Sequence, residues 1–255
     1  FAFGRILAVA LAGIGLGGLV WGPLSKRVRP TLHAFAASCG LEALLMAVPF
    51  ALGDRIALLA AQWRVAQPES FTGLVAVWIG VAAVVIFPAA VISGLQFPLL
   101  VGLLGEGRER IGRQVGQAFA CNTAGAILGS LAGGFGLLPL LSSSGVWSAS
   151  VLLLGALGLA AAIIDHRRAR RRFRTLAAVG IAAAAVACLF ATGPTAVWRH
   201  GAIGAGRFAS PGQTANEQIE WMNTIRRRFV YEADGVEASI GIESSNGYAF
   251  YVNGK

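Results

Sequence analysis

Glu42 is a carboxyl set inside an otherwise apolar stretch, in the sequence Cys39-Gly40-Leu41-Glu42-Ala43. At the depth of a bilayer an ionisable side chain costs ~2.5–3.5 kcal/mol on insertion scales, so it usually has a purpose there. Two uses fit the residue type. It is either a proton or cation site facing the interior of a helix bundle, or a carboxyl near the bilayer boundary, hydrogen-bonded to a serine or to backbone of a neighbouring helix. Gln96, Asn122 and Thr123 are the other polar side chains at comparable depth. Hydrogen bonding between helices is the expected use of all three. Three histidines, His33, His166 and His200, pair with no serine, cysteine or carboxylate at a spacing that supports catalysis. Cys39, Cys121 and Cys188 lack metal-ligand spacing and read as buried, inert thiols. No nucleophile elbow, phosphate-binding loop or pair of catalytic carboxylates is present.

Gly13, Gly15 and Gly18 match the letters of a dinucleotide-binding fingerprint. That fingerprint needs a preceding strand and a crossover helix, and only apolar helix surrounds it here. A different use is better founded. Gly13 and Gly17 are four apart, as are Gly125, Gly129 and Gly133, so each set shares a helix face. Small residues at that spacing let a neighbouring helix approach closely. Gly201, Gly204 and Gly206 imitate a cofactor loop but follow no strand, and a flexible linker accounts for them.

The elements that must position these residues follow from hydropathy. Six apolar runs occupy residues 6–21, 31–52, 71–95, 118–141, 146–164 and 176–192. About 20 helical residues cross a hydrocarbon layer of ~30 Å, and these runs lack the alternation of barrel strands. The chain is 56% hydrophobic and 13% charged, with mean hydropathy +0.67. The third run, extended to residue 104, is too long for one straight span; Pro88 and Pro98 predict a kinked helix. Residues 54–70 alternate apolar with charged positions and predict an interfacial helix.

Net charge is +9, and all of it belongs to residues 1–195, which hold 15 Lys/Arg against 6 Asp/Glu. The excess gathers at Lys26, Arg27 and Arg29, at Arg108, Arg110 and Arg113, and at six arginines between 167 and 174. These are alternate connections, which is the positive-inside pattern and not a nucleic-acid footprint; the basic loops are expected in the cytoplasm. The 167–174 cluster also suits anionic lipid headgroups.

Beyond residue 193 the pattern changes. Residues 194–228 predict a linker followed by an amphipathic helix over 213–228, with Arg226, Arg227 and Arg228 at its C-terminal end. Strands are predicted at 229–232, 238–243 and 248–252, separated by Asp234-Gly235 and Asn246-Gly247. The expected architecture is an all-α polytopic membrane bundle of about six transmembrane helices (1–193), then the start of a small antiparallel β domain (229–255). The chain is read as a fragment cut at both ends.

Asn122-Thr123-Ala124-Gly125-Ala126-Ile127-Leu128-Gly129, then Gly134-Phe135 and Leu138-Pro139, resembles the membrane part of fused transporter-like/spermidine synthase proteins. So do Phe97-Pro98-Leu99-Leu100 and Leu11-Ala12-Gly13-Ile14-Gly15-Leu16-Gly17, each leading into a basic turn. The join is similar too: Phe229-Val230-Tyr231-Glu232-Ala233-Asp234-Gly235 and Tyr251-Val252-Asn253-Gly254-Lys255 are similar to the small β domain that opens aminopropyltransferase modules. The resemblance implies a bundle like half of a major-facilitator transporter and a parent protein in polyamine biosynthesis. It implies decarboxylated S-adenosylmethionine as co-substrate and a polyamine as acceptor, in a bacterial inner membrane. No catalytic or cofactor residue carries over, because the chain ends at Lys255 before the family's would occur; alone it is not expected to catalyse the transfer. Two other readings remain: a major-facilitator-type transporter of a small solute or polyamine using Glu42, and a non-catalytic membrane scaffold. If every run crosses once, alternation puts residues after 192 outside, whereas a cytosolic co-substrate would place them inside. The side of the tail is left open.

Overall fold

The computed structural model describes residues 2–66, 70–104, 111–169, 172–201, 212, 214–245 and 247–254. Arg108, Arg110, Arg170, Arg171, Gly204, Gly206, Asn246 and Lys255 lie outside the described residues. The described elements are α1 (Ala2–Leu24), α2 (Leu32–Leu52), α3 (Asp54–Ala66), α4 (Phe71–Val85), α5 (Phe87–Leu104), α6 (Ile111–Leu131), a π-helical turn (Ala132–Leu137), α7 (Leu138–Ala169) and α8 (Arg172–Leu189). They continue through α9 (Ala196–His200), α10 (Ala215–Arg228), β1 (Phe229–Asp234), β2 (Ser239–Ser244) and β3 (Tyr248–Val252).

Four helical segments are long and apolar enough to cross a membrane: Gly4–Leu24, Leu32–Leu52, Phe87–Leu104 and Gly112–Arg168. This differs from the six runs of the sequence in two ways. Phe71–Val85 and Thr175–Leu189 form shorter apolar helices, below the ~20 residues that span hydrocarbon. Gly112–Arg168 takes in two predicted runs, and it is broken where Ser142 leaves helical geometry at φ 61, ψ 173. The third run divides at Ile86, two residues before Pro88, into α4 and α5, although backbone bonds continue across the break. The Ile86 amide donates to the Ala82 carbonyl at 2.8 Å, and the Ala90 amide to the Ile86 carbonyl at 3.0 Å. These bonds pass around the ring that has no N–H of its own.

The chain divides into two compact units. The first comprises residues 1–48, 82–132 and 147–188. In it α1 lies against α5 along Val9, Gly13 and Gly17, which are buried at four-residue spacing. A methyl group added at Gly17 would meet the Val91 carbonyl and the Cα of Gly94; one added at Gly94 would meet the Ile14 carbonyl. Two backbones touch here. Elsewhere in this unit Ala36, Ala161, Ala162 and Ala178 form a small-residue core under Leu32 and Phe35. Phe97 and Phe119 meet edge to face at 4.7 Å between α5 and α6.

Gly125, Gly129 and Gly133 behave differently from the expectation. Nothing lies within 4 Å of a side chain added at any of them, and residues 119–131 are exposed throughout. The close approach predicted for this face is not made within the described residues. The spacing supplies a groove, but no second small-residue face opposes it. The cysteines differ among themselves as well: Cys39 is buried, Cys188 half-buried and Cys121 exposed on α6, all three free.

The second unit comprises residues 49–81, 133–146 and 189–255. Its helix α10 starts with a capping box: the Glu217 amide donates to Thr214 Oγ1 at 3.2 Å, and the Thr214 amide donates to the Glu217 carboxylate at 3.0 Å. That satisfies two amides left over at a helix start. The chain passes from Arg228 directly into an antiparallel sheet of order β1-β2-β3, with Ala233 opposite Ile240 and Ile242 opposite Phe250. Gly53 and Gly193 both adopt left-handed φ, +49 and +70, where the connections after α2 and α8 abut. Neither position has room for a side chain.

Candidate functional site

Of the four polar residues expected at membrane depth, Glu42, Gln96, Asn122 and Thr123, the structure brings two together. Gln96 on α5 donates its amide N–H to Glu42 Oε2 on α2 at 2.6 Å, and Ser93, one helical turn before Gln96, also hydrogen-bonds the Glu42 carboxyl. Glu42 is buried and Gln96 half-buried. Position 93 and position 96 share a face of α5, so one helix presents both groups to one carboxyl. Such a pair holds a proton on the carboxyl or simply pins two helices together. Asn122 stands apart, on the exposed face of α6. Trp147 donates its indole N–H to the Met46 carbonyl at 3.0 Å.

A second constellation lies in the other unit and includes residues that the sequence did not single out. Asp54, the first residue of α3, is 1% exposed. Its carboxylate accepts from the Thr195 amide at 2.8 Å, the Thr195 hydroxyl at 2.6 Å and Arg226 Nε at 2.6 Å. An aspartate at a helix start is ordinary. Here it instead joins a connection 141 residues away in sequence and a helix 172 residues away. Close by, Arg199 on α9 bridges Glu232 Oε1 at 2.6 Å and Asp234 Oδ2 at 3.2 Å. The same Asp234 oxygen accepts from the Ser143 amide and the Ser143 hydroxyl, each at 2.8 Å.

The electrostatics follow from these partners. Burial works to raise the Asp234 carboxyl, but the two Ser143 bonds, with Arg199 and His200, outweigh it and hold the group below the usual aspartate range. His200 is fully enclosed, with its Cβ against Gly241, and burial pushes its imidazole below the usual histidine range. Asp234 and Glu232 oppose that shift and Arg199 adds to it. Among the described residues neither His200 nitrogen has a hydrogen-bond partner; Nε2 lies 3.6 Å from Glu232 and 3.7 Å from Asp234. Tyr251 donates its hydroxyl to Glu243 at 2.7 Å, which raises its pKa. A shallow cavity of about 360 Å³ opens beside Ser143, Arg199, Asp234 and Asn253.

Every carboxylate oxygen of Asp54 and Asp234 that accepts a bond does so from backbone, hydroxyl or guanidinium, so these two carboxylates fasten chain segments. Among the described residues no group of three His, Cys, Asp or Glu side chains has the arrangement of a metal site. A signal for Asp54 existed in the sequence: an acid directly after a glycine that ends an apolar run, with a triple arginine in the tail. Neither half identifies the other without the fold. No family model, no curated protein and no solved structure matches this chain.

Proposed function

We propose that the chain is a membrane-embedded support that carries a spermidine synthase-like (aminopropyltransferase-like) module at one face of a bacterial inner membrane. The observation that supports it best is the way the tail is fastened. Asp54, two residues past α2, accepts from both Thr195 and Arg226 of α10, and Ser143 donates to Asp234 of β1. A tail on a loose tether needs no such bonds; a tail held in fixed orientation does. The resemblance of the α10–sheet segment to the opening β domain of aminopropyltransferases supplies the chemistry. In that chemistry a polyamine amine attacks the aminopropyl carbon of decarboxylated S-adenosylmethionine and displaces the thioether. The basic connections take the cytoplasmic side and meet anionic headgroups.

The test uses the whole gene product that contains this chain, in liposomes. Putrescine and decarboxylated S-adenosylmethionine should yield spermidine and methylthioadenosine. Folded protein that forms neither product overturns the transferase reading.

A second reading has its own observation, the Glu42–Gln96 pair. It favours a secondary transporter of major-facilitator type, with about six spans and a small solute or polyamine as cargo, in which Glu42 carries the coupling proton. Proton-driven polyamine uptake into proteoliposomes should then be lost in Glu42→Gln, and unchanged uptake dismisses it. With both activities absent, a non-catalytic scaffold is what remains.

A further inference from the structure

We infer that α10 and the three-stranded sheet stand on the face of the membrane opposite the basic connections, which is the outer, non-cytoplasmic face. A helix that crosses a bilayer once has its ends on opposite sides. Helix α2 has 21 residues, enough for ~32 Å. It follows Lys26, Arg27 and Arg29, and it ends beside Asp54, which binds Thr195 and Arg226. The second helix that bears on this is α7. Counted from Ser143, past the break, it runs to a last turn holding His166, Arg167 and Arg168. Its beginning is bound to Asp234 in β1 through the Ser143 amide and hydroxyl.

Two separate helices therefore have a basic end and an end fastened to the tail. Between them, the connections at residues 53–70, 142–145 and 190–195 hold only Arg55 and Arg64, against Asp54 and Glu69, and so carry no net charge. The charge asymmetry thus assigns these ends to the outside, and the hydrogen bonds take the tail with them.

This placement does not rest on the transferase reading, and it constrains that reading. On the outer face a polyamine is met directly, whereas a nucleoside co-substrate made in the cytosol reaches the tail only through the bundle.

The experiment is site-directed labelling in intact bacterial cells with a membrane-impermeant maleimide. Cys39, Cys121 and Cys188 are first replaced by alanine in the full chain. Single cysteines are then introduced as Tyr248→Cys, a position 74% exposed in β3, and as Lys26→Cys in the basic connection. Position 248 should label in intact cells and position 26 only after permeabilisation. Labelling of both from one side, or of position 26 alone in intact cells, overturns the placement. Should the cysteine-free chain fail to accumulate, the unaltered chain with alkaline phosphatase fused after Gly254 gives the same answer. Strong phosphatase activity supports the outer face and its absence, with fusion protein present in the membrane, refutes it. Outward labelling without spermidine formation sinks the transferase reading alone, and inward labelling with spermidine formation sinks the placement alone.

Discussion

The α1–α5 seam and helix α6 carry the same glycine spacing and meet opposite fates. At Gly13 and Gly17 the facing helix offers Ala90 and Gly94, and the two backbones touch. At Gly125, Gly129 and Gly133 nothing faces the groove. Small residues four apart permit an approach, and only a second small face makes the contact. The Asp54 and Asp234 ties follow another rule: they require no close approach of helices, only a carboxylate with enough donors around it.

The sharpest way to break that contrast is Asp54→Ala. It leaves the Thr195 donors and the partly exposed Arg226 without their acceptor, and about 3 kcal/mol of stability should go, the upper end for donors left unsatisfied. Thermal unfolding of the detergent-solubilised protein measures it; an unchanged midpoint would mean that the tie contributes nothing. Next comes Gly17→Leu, which forces a side chain into the Val91 carbonyl and should cost about 1–3 kcal/mol or more by overpacking. The matched substitution Gly125→Leu is the control, and it is the smallest effect expected, within about 0.5 kcal/mol. Equal losses at Gly17 and Gly125 would erase the distinction between the two faces.

Between these extremes lie acid and the membrane pair. Asp234 has a lowered pKa in the fold, so its contribution is complete above the usual aspartate value, near pH 4, and is lost as pH falls through the lowered one. His200, also lowered, stays neutral while an unfolded imidazole takes up a proton, so stability starts to fall below about pH 6.5. A pH titration of unfolding should show both slopes in the native protein. Asp234→Asn should remove the lower slope and His200→Gln the upper. Gln96→Leu deletes one hydrogen bond between helices and should cost about 0.6–1.7 kcal/mol, read from the same melting curves.

Much of this architecture was legible in the order of residues. Hydropathy located the apolar helices, and turn residues placed the three strands within two residues of their observed ends. Helix α10 begins at Ala215, near the predicted 213, because Thr214 and Glu217 form the cap. Span length was less legible: a run of apolar letters does not reveal that Phe71–Val85 stops short or that two runs join across Ser142. Glu42 was visible as an outlier in its run, but its partner depended on how α2 meets α5. Asp54 was hidden for a stronger reason. Its partners are Thr195 and Arg226, and no local periodicity connects residues so far apart.

Ser142 carries one more consequence. Its φ of 61 with ψ of 173 belongs to a region that side chains other than glycine avoid, at a cost of about 1–3 kcal/mol. The next residue is anchored by Asp234, 91 positions later in the chain. During synthesis, therefore, the corner inside α7 emerges long before the anchor that steadies it. Ribosomes deliver the clasp 91 residues later, and the corner waits unfastened until β1 arrives.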